Sequence, residues 1–168
     1  MSRILHLRKR LIALPAAHEL PDVTIRPFIA TRPGSRDADA RAWLKLREAV
    51  FSGLVAGGRP WTAADFHREF LGKPWWVPER MLFAVAAGSG GESILGSVTF
   101  GRSGRPPDDY GSVQWLMVRP EQRRRGIGRL LLSTIERQAL SAGETSLTLE
   151  THAAWSDAVR LYRAAGYE

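Results

Sequence analysis

The chain has 168 residues and a mass of 18.7 kDa, enough for one domain or one domain with a short arm. Its 44% hydrophobic and 24% charged residues are ordinary for a globular protein whose core needs no cross-links. With no cysteine, a disulfide framework, a thiol nucleophile and a thiolate metal site are excluded, and no apolar run reaches the roughly 18 residues of a membrane helix. No metal is expected, and the expected location is cytoplasmic. The net charge of +7 is concentrated in two places. Residues 1–12 carry Arg3, Arg8, Lys9 and Arg10 without an acid, and residues 119–129 carry five arginines against Glu121 alone. Such clustering points to local contact with a polyanion rather than to a uniformly basic surface.

Residues 1–22 read as a basic N-terminal arm, ordered or partly ordered, rather than as a cleaved signal. Ile4, Leu5 and Leu7 alternate loosely enough to allow a strand. From Val23 to Phe28 apolar and polar residues alternate, predicting a half-buried strand with Pro27 at a sheet edge. Pro33-Gly34-Ser35 reads as a turn, and residues 37–51 recur with helical period. The segment from Gly53 to Pro60 reads as a flexible loop. Thr62 followed by Asp65 predicts a capped helix start, with Gly72 as its stop. Residues 80–86 and 94–100 predict a hairpin across Gly88-Ser89-Gly90-Gly91, and residues 112–118 a further strand. A helix over 126–142, a strand over 146–150 and a helix over 156–165 complete the order β-α-α-β-β-β-α-β-α. That order defines an α/β class: a mixed sheet with helices on its faces.

The chemistry concentrates in Val118-Arg119-Pro120-Glu121-Gln122-Arg123-Arg124-Arg125-Gly126-Ile127-Gly128, which runs from a strand straight into a helix. Closely spaced glycines let backbone N–H groups converge there, the helix start adds partial positive charge, and three arginines strengthen an anion site. Two other phosphate motifs fail. Arg129-Leu130 follows Gly128 where a Walker loop needs Lys-Ser/Thr, and bulky Leu131 stands where a dinucleotide fingerprint needs a small residue.

Arg123-x-x-Gly126-x-Gly128, preceded by Leu116-Met117-Val118-x-Pro120, resembles the acetyl-CoA motif of the GNAT superfamily of N-acetyltransferases. The resemblance extends to Val23-Thr24-Ile25-Arg26-Pro27, to Leu147-x-Leu149-Glu150, and to Ala158-x-x-Leu161-Tyr162-x-x-x-Gly166-Tyr167, so it covers residues 23–168. It implies a GNAT-like acyltransferase domain over 23–168, with a central, mostly antiparallel sheet flanked by helices. It implies acetyl-CoA as cosubstrate, held by backbone groups of Met117 and Val118 along the pantetheine arm. The amides of Arg123, Arg124, Arg125, Gly126, Ile127, Gly128 and Arg129, with the arginine side chains, would hold the pyrophosphate. Tyr162 would protonate the leaving thiolate, as a phenol that is neutral at pH 7 can.

The activity implied is transfer of acetyl from acetyl-CoA to an amine by direct attack, and the acceptor amine stays unidentified. The alternative is an acyl-CoA-binding sensor or assembly module without turnover. A nucleic-acid partner is not expected, since no recognisable binding motif is present. Glu150 is the expected general base, with His152, Asp108, Asp109 and Glu79 as rivals. Trp61, Trp75 and Trp76 either line an acceptor pocket or pack. Trp155 stands where the family often has Asn, and the family's further strand after Tyr167 is not in the sequence. The arm is therefore expected to cover the sheet near the C-terminus, within one chain or across a homodimer, with its basic residues pointing outward.

Overall fold

The computed structural model describes residues 3–32, 35–52 and 58–168. The expected turn at Pro33-Gly34 and most of the expected loop from Gly53 lie outside the described residues. The elements run β1 (Ile4–Arg10), β2 (Thr24–Pro27), the short pair β3 (Thr31–Arg32) and β4 (Ser35–Arg36), α1 (Ala38–Phe51), α2 (Ala63–Phe66), β5 (Met81–Gly88), β6 (Gly91–Ser103), β7 (Tyr110–Val118), α3 (Ile127–Ser141), β8 (Ser146–His152) and α4 (Ser156–Ala164). Each strand and helix expected from residue 23 onward is present, with ends shifted by a few residues. No helix among the described residues is long and apolar enough to cross a membrane.

Six strands form one sheet in the order β1-β8-β7-β6-β5-β2, antiparallel throughout except where β7 meets β8. Pro27 lies on the edge strand β2, where its missing N–H costs no ladder bond. Alternation along the strands feeds two cores. On β5, Leu82 and Ala84 join one face with Leu131, Ile135 and Leu147, beneath α3 and α4. Met81, Phe83 and Val85 join the other, with Trp43, Leu46, Phe66 and Phe70 of α1, α2 and the turn after it.

The sheet changes parity inside β7. Thr99 pairs with Gln114 while Ser97 pairs with Met117, so two steps on β6 face three on β7. The extra residue makes a bulge, and Trp115 adopts a left-handed φ of 52° to accommodate it. Val113 accordingly packs beneath α3, whereas Trp115 and Met117 turn toward α1. Without the extra residue, Val113 and Met117 would share a face.

The arm is part of the sheet. Residues Ile4 to Arg10 pair in continuous antiparallel register with His152 to Ser146 of the same chain. Arg8 also exchanges backbone hydrogen bonds with Glu168 across the other edge of β1, at 2.8 and 3.0 Å. Leu7 and Leu11 enter the core beneath α3. The basic residues do not all point outward as the sequence predicted. Lys9 turns in to Glu136 of α3, with Nζ 2.8 Å from Oε2, beside the buried Tyr167 ring. Glu136 is 2% exposed, so removing its cation would leave a buried charge unanswered.

Leu7→Ala is expected to cost about 2–5 kcal/mol, measured by denaturant unfolding, as for other buried leucines. Deleting residues 1–20 should lower the melting temperature markedly or cause aggregation; an unchanged melting curve would contradict the structural role of β1.

Candidate functional site

Beyond the Ser112–Thr148 pair, β7 continues beside β6 while β8 runs beside β1, so the two central strands part. A cleft of about 1230 Å³ occupies the gap, lined by Leu116, Met117 and Val118 on one side and Leu149, Glu150 and Thr151 on the other. The Arg119 N–H donates to Leu95 O at 2.9 Å. Two-residue alternation then points the peptide groups of Met117 toward β6 and those of Leu116 and Val118 into the gap. Val118 thus turns its peptide group into the gap. Met117 contributes by position, its side chain 1% exposed in the core under α1.

The loop after β7 is curled into a cradle by its backbone conformation. A short turn at Pro120–Gln122 leads into Arg123, and Arg124 and Gly126 take positive φ values of 64° and 85°. Gly126 is followed directly by α3, whose first internal bond runs from Leu130 N to Gly126 O at 2.9 Å. The N–H groups of Ile127, Gly128 and Arg129 have no acceptor within the helix and mark its partially positive end. Gly128 lets this end approach α4: a Cβ there would lie 3.1 Å from the Leu161 side chain.

Arg123, Arg124 and Arg129 line the cleft with Arg160 of α4, which the sequence motif did not reveal. Arg123 Nε donates to Val118 O at 3.4 Å, and Arg124 stands 3.5 Å from Asp157, both of the latter exposed. Arg125 is turned to the Gln122 side-chain oxygen and stays outside the lining. Arg119 is drawn elsewhere by Ile94 O at 2.6 Å and Glu121 at 3.7 Å.

Tyr162 projects from α4 into the same lining, 7% exposed and edge-on to Tyr167 at 6.0 Å. Burial pushes its phenol above the ordinary range, which keeps the proton on oxygen. Trp155 caps the start of α4 through its backbone and stacks on Phe51 at 5.5 Å and His152 at 4.4 Å. It forms a wall of the cleft where an amide side chain would have offered hydrogen bonds.

The other half of the cleft lies under α1 and the turn after α2. Thr62 and Asp65 form the expected capping box, and Asp65 also holds Arg59 at 2.6 and 2.7 Å and Arg68. The Arg59 hydrogen bonds, with the Thr62 N–H, hold the Asp65 carboxyl far below its usual range. This braces a π-helical turn over His67–Leu71, closed by Gly72 N to His67 O at 2.8 Å. Glu69 on that turn accepts a hydrogen bond from Trp115 Nε1 at 2.9 Å and lines the cleft with Lys73, Trp75 and Arg47.

The expected base stands differently. Glu150 is at the rim of the lining, its side chain 69% exposed, 3.2 Å from His6 Nδ1 on β1. His152 lines the cleft against Trp155, whereas Asp109 is engaged by Arg102 and Glu144 shares that arginine. Asp108 and Glu79 are outside the lining. Trp75 reaches the cleft, while Trp61 and Trp76 pack against Trp43 and Phe28. Among the described residues no group of three or more His, Cys, Asp or Glu side chains could hold a metal ion.

Residues 40–167 match the model of the Acetyltransferase (GNAT) family, and the chain belongs to that family. It is 30% identical over 161 residues to a mycothiol acetyltransferase of Cellulomonas flavigena, covering 91% of this chain and 43% of that protein. The chain spans about half the length of the curated relatives it matches. A GCN5-related N-acetyltransferase of Sphaerobacter thermophilus superposes with a TM-score of 0.73 at 26% identity, over 98% of this chain and 47% of that one. A structure of the NatC complex bound to Gag peptide and CoA shares the fold, with a TM-score of 0.64 and 22% identity over 86% of this chain and 84% of that one.

Gly126 offers a direct test of the cradle. A Cβ there would point away from the expected ligand, 2.9 Å from His18 Nε2 of the arm, and would sit at a strained φ. Gly126→Ala should therefore weaken CoA binding by about tenfold or more through displacement of the loop, since left-handed φ costs a non-glycine residue about 1–2 kcal/mol. The effect should persist with His18→Ala, which removes the collision. Titration calorimetry with CoA measures both; unchanged affinity in the double variant would remove the loop from the site.

Proposed function

We propose that the protein is an acetyl-CoA-dependent N-acetyltransferase that carries acetyl to an amine by direct attack. The observation that carries this reading is one continuous cleft. It joins an amide-lined, arginine-rich cradle, a gap between parting strands, and a buried phenol. The cradle fits a pyrophosphate because backbone N–H groups and guanidinium groups converge on it. The gap fits an extended arm because the peptide edges of Leu116 and Val118 face it with no strand opposite, only the Arg123 guanidinium reaching Val118 O. Bound acetyl-CoA supplies the activated acyl group.

The chain's own residues then have separate tasks. A carboxylate takes a proton from the acceptor ammonium or from the attacking amine, directly or through water, and Tyr162 Oη gives its proton to the departing sulfur. The C–N bond forms as the C–S bond breaks, and the thiolate leaves as thiol. Among the described residues three carboxylates line the cleft, of which Asp157 lies among the arginines Arg124 and Arg160. Glu69 is half-buried and fixed by the Trp115 indole beside the bulge. Glu150, the base expected from the motif, faces solvent and His6. The burial and fixation of Glu69 favour it as the proton acceptor. The relatives' name supplies a first acceptor to assay, a mycothiol-type amine.

Acetyl-CoA turnover against a panel of amines tests the reading. Tyr162→Phe should lower kcat by about 10²–10⁴-fold, the usual worth of a general acid, with CoA affinity nearly unaffected. Glu69→Gln should depress kcat at neutral pH more than Glu150→Gln does. A protein that binds CoA but acetylates none of the amines would instead be an acyl-CoA-binding module.

A further inference from the structure

We infer that the acceptor carries an anionic group, a carboxylate or phosphate, beside its reacting amine, and that Arg47 on α1 reads it. The inference rests on the acetyltransfer reading above, within which it names the acceptor class. Arg47 lies one helical turn from Trp43 and one from Phe51, on the face of α1 turned to the cleft. Its guanidinium carbon is 4.1 Å from the Trp61 ring centroid, 5.6 Å from that of Trp115 and 5.9 Å from that of Phe51. Nε is buried and has no hydrogen-bond partner among the described residues. Burial also lowers the pKa of the group, the mark of a cation withdrawn from water.

Among the described residues none of the nearby carboxylates pairs with it: Glu48, its exposed neighbour on α1, acts only through its field. Asp65 serves Arg59 and Arg68, and Glu69 spends one oxygen on the Trp115 indole. Arg26 has Asp39 and Glu92, and Arg102 has Asp109 and Glu144, while Arg80, which also lies over a ring, turns a guanidinium N–H to Phe100 O at 3.2 Å. Arg47 is answered by ring faces. Stacking satisfies the flat faces of a guanidinium and leaves its in-plane N–H donors, which no aromatic face can accept. A planar fork immobilised by stacking is preorganised for two-pronged bonding to an oxyanion. Glu69 and Arg47 border the same Trp115 indole, one through its N–H and the other over its ring. An acceptor bearing an amine and an anionic group meets both charges at once, whereas a neutral-tailed amine leaves Arg47 without a partner.

Two matched pairs of amines test this with the full chain: a dipeptide and its C-terminal amide, and aminoethyl phosphate and ethanolamine. Acetylation is followed by CoA release, and binding to the CoA-loaded protein by titration calorimetry. The anionic member of at least one pair should be favoured by about tenfold or more, as charge-assisted, bidentate bonds are the strong ones. Which pair responds separates carboxylate from phosphate. Arg47→Met should erase that preference, and Arg47→Lys, which keeps the charge without the fork, should retain part of it. Equal treatment of both members in both pairs overturns the inference, as does a preference that survives Arg47→Met, or binding of none of the four. If acetyl-CoA binds and no amine is acetylated, the calorimetric preference still decides. If acetyl-CoA itself fails to bind, the acetyltransfer reading has failed, a distinct result.

Discussion

Between the Thr99–Gln114 and Ser97–Met117 pairs, β7 takes three residues to cover what β6 covers in two, and a strand so loaded cannot keep step with both neighbours. It stays with β6 and leaves β8. The cleft is the space that this choice opens, and its two ends inherit their chemistry from the same event. Past the bulge, the peptide groups on the β8 side of β7 have no strand to bond, so they are available to an extended ligand. At the bulge itself, Trp115 is thrown to the α1 side, where its indole orders both Glu69 and Arg47. One inserted residue thus shapes both walls of the cleft, the open edge of β7 and the Trp115 side under α1.

A strand abandoned on one side needs support on the other. β1 gives β8 a seven-residue ladder, and the pairing is keyed by what its side chains meet. Leu7 and Lys9 point to the α3 side, one into apolar core and the other to Glu136. A slip by one residue would put His6 or Arg8 into the core and Lys9 into solvent, so register is strongly specified. A partly buried ion pair adds little net stability against its desolvation cost, but it sharply penalises the wrong register. The arm then continues past Arg137, which donates to Pro15 O at 2.9 Å, and brings His18 against the back of Gly126. The edge strand and the anion cradle are therefore built on one connected segment.

Much of this was legible in the residues. Alternation located the strands, Thr62 and Asp65 announced a helix start, and the Arg123-x-x-Gly126-x-Gly128 pattern marked the turn from β7 into α3. Tyr162 stood out through a different local pattern, Ala158-x-x-Leu161-Tyr162-x-x-x-Gly166-Tyr167. What stayed hidden depends on distant partners. Nothing in Lys9 or Glu136 alone reveals that they meet across 127 positions, so the arm's cations read as outward-facing. The bulge is a mismatch between two strands, and neither strand's own alternation displays it. Glu150 drew attention because its position in the motif was visible, whereas Glu69 acquires its place from a π-helical turn and an indole far away in sequence. Arg47 did leave a local trace: a cation in phase with Trp43 and Phe51 breaks the apolar face of α1.

The two halves of the cleft use positive charge in opposite ways. In the cradle, Arg124 and Arg160 are largely exposed, with side-chain exposures of 72% and 65%, so their charges remain hydrated and cost little when no ligand is present. They attract a polyanion at long range and contribute modestly each, as a cluster of screened charges does. Arg47 is partly desolvated already, its guanidinium packed over rings and its Nε shut from water. Such a group has given up hydration before any ligand arrives, so a partner that fits its fork recovers more than it would at an exposed site. The hydrated cluster suits a ligand whose pyrophosphate is held by many contacts. The desolvated single cation suits discrimination among small ligands, where the presence or absence of one partner decides the difference in free energy.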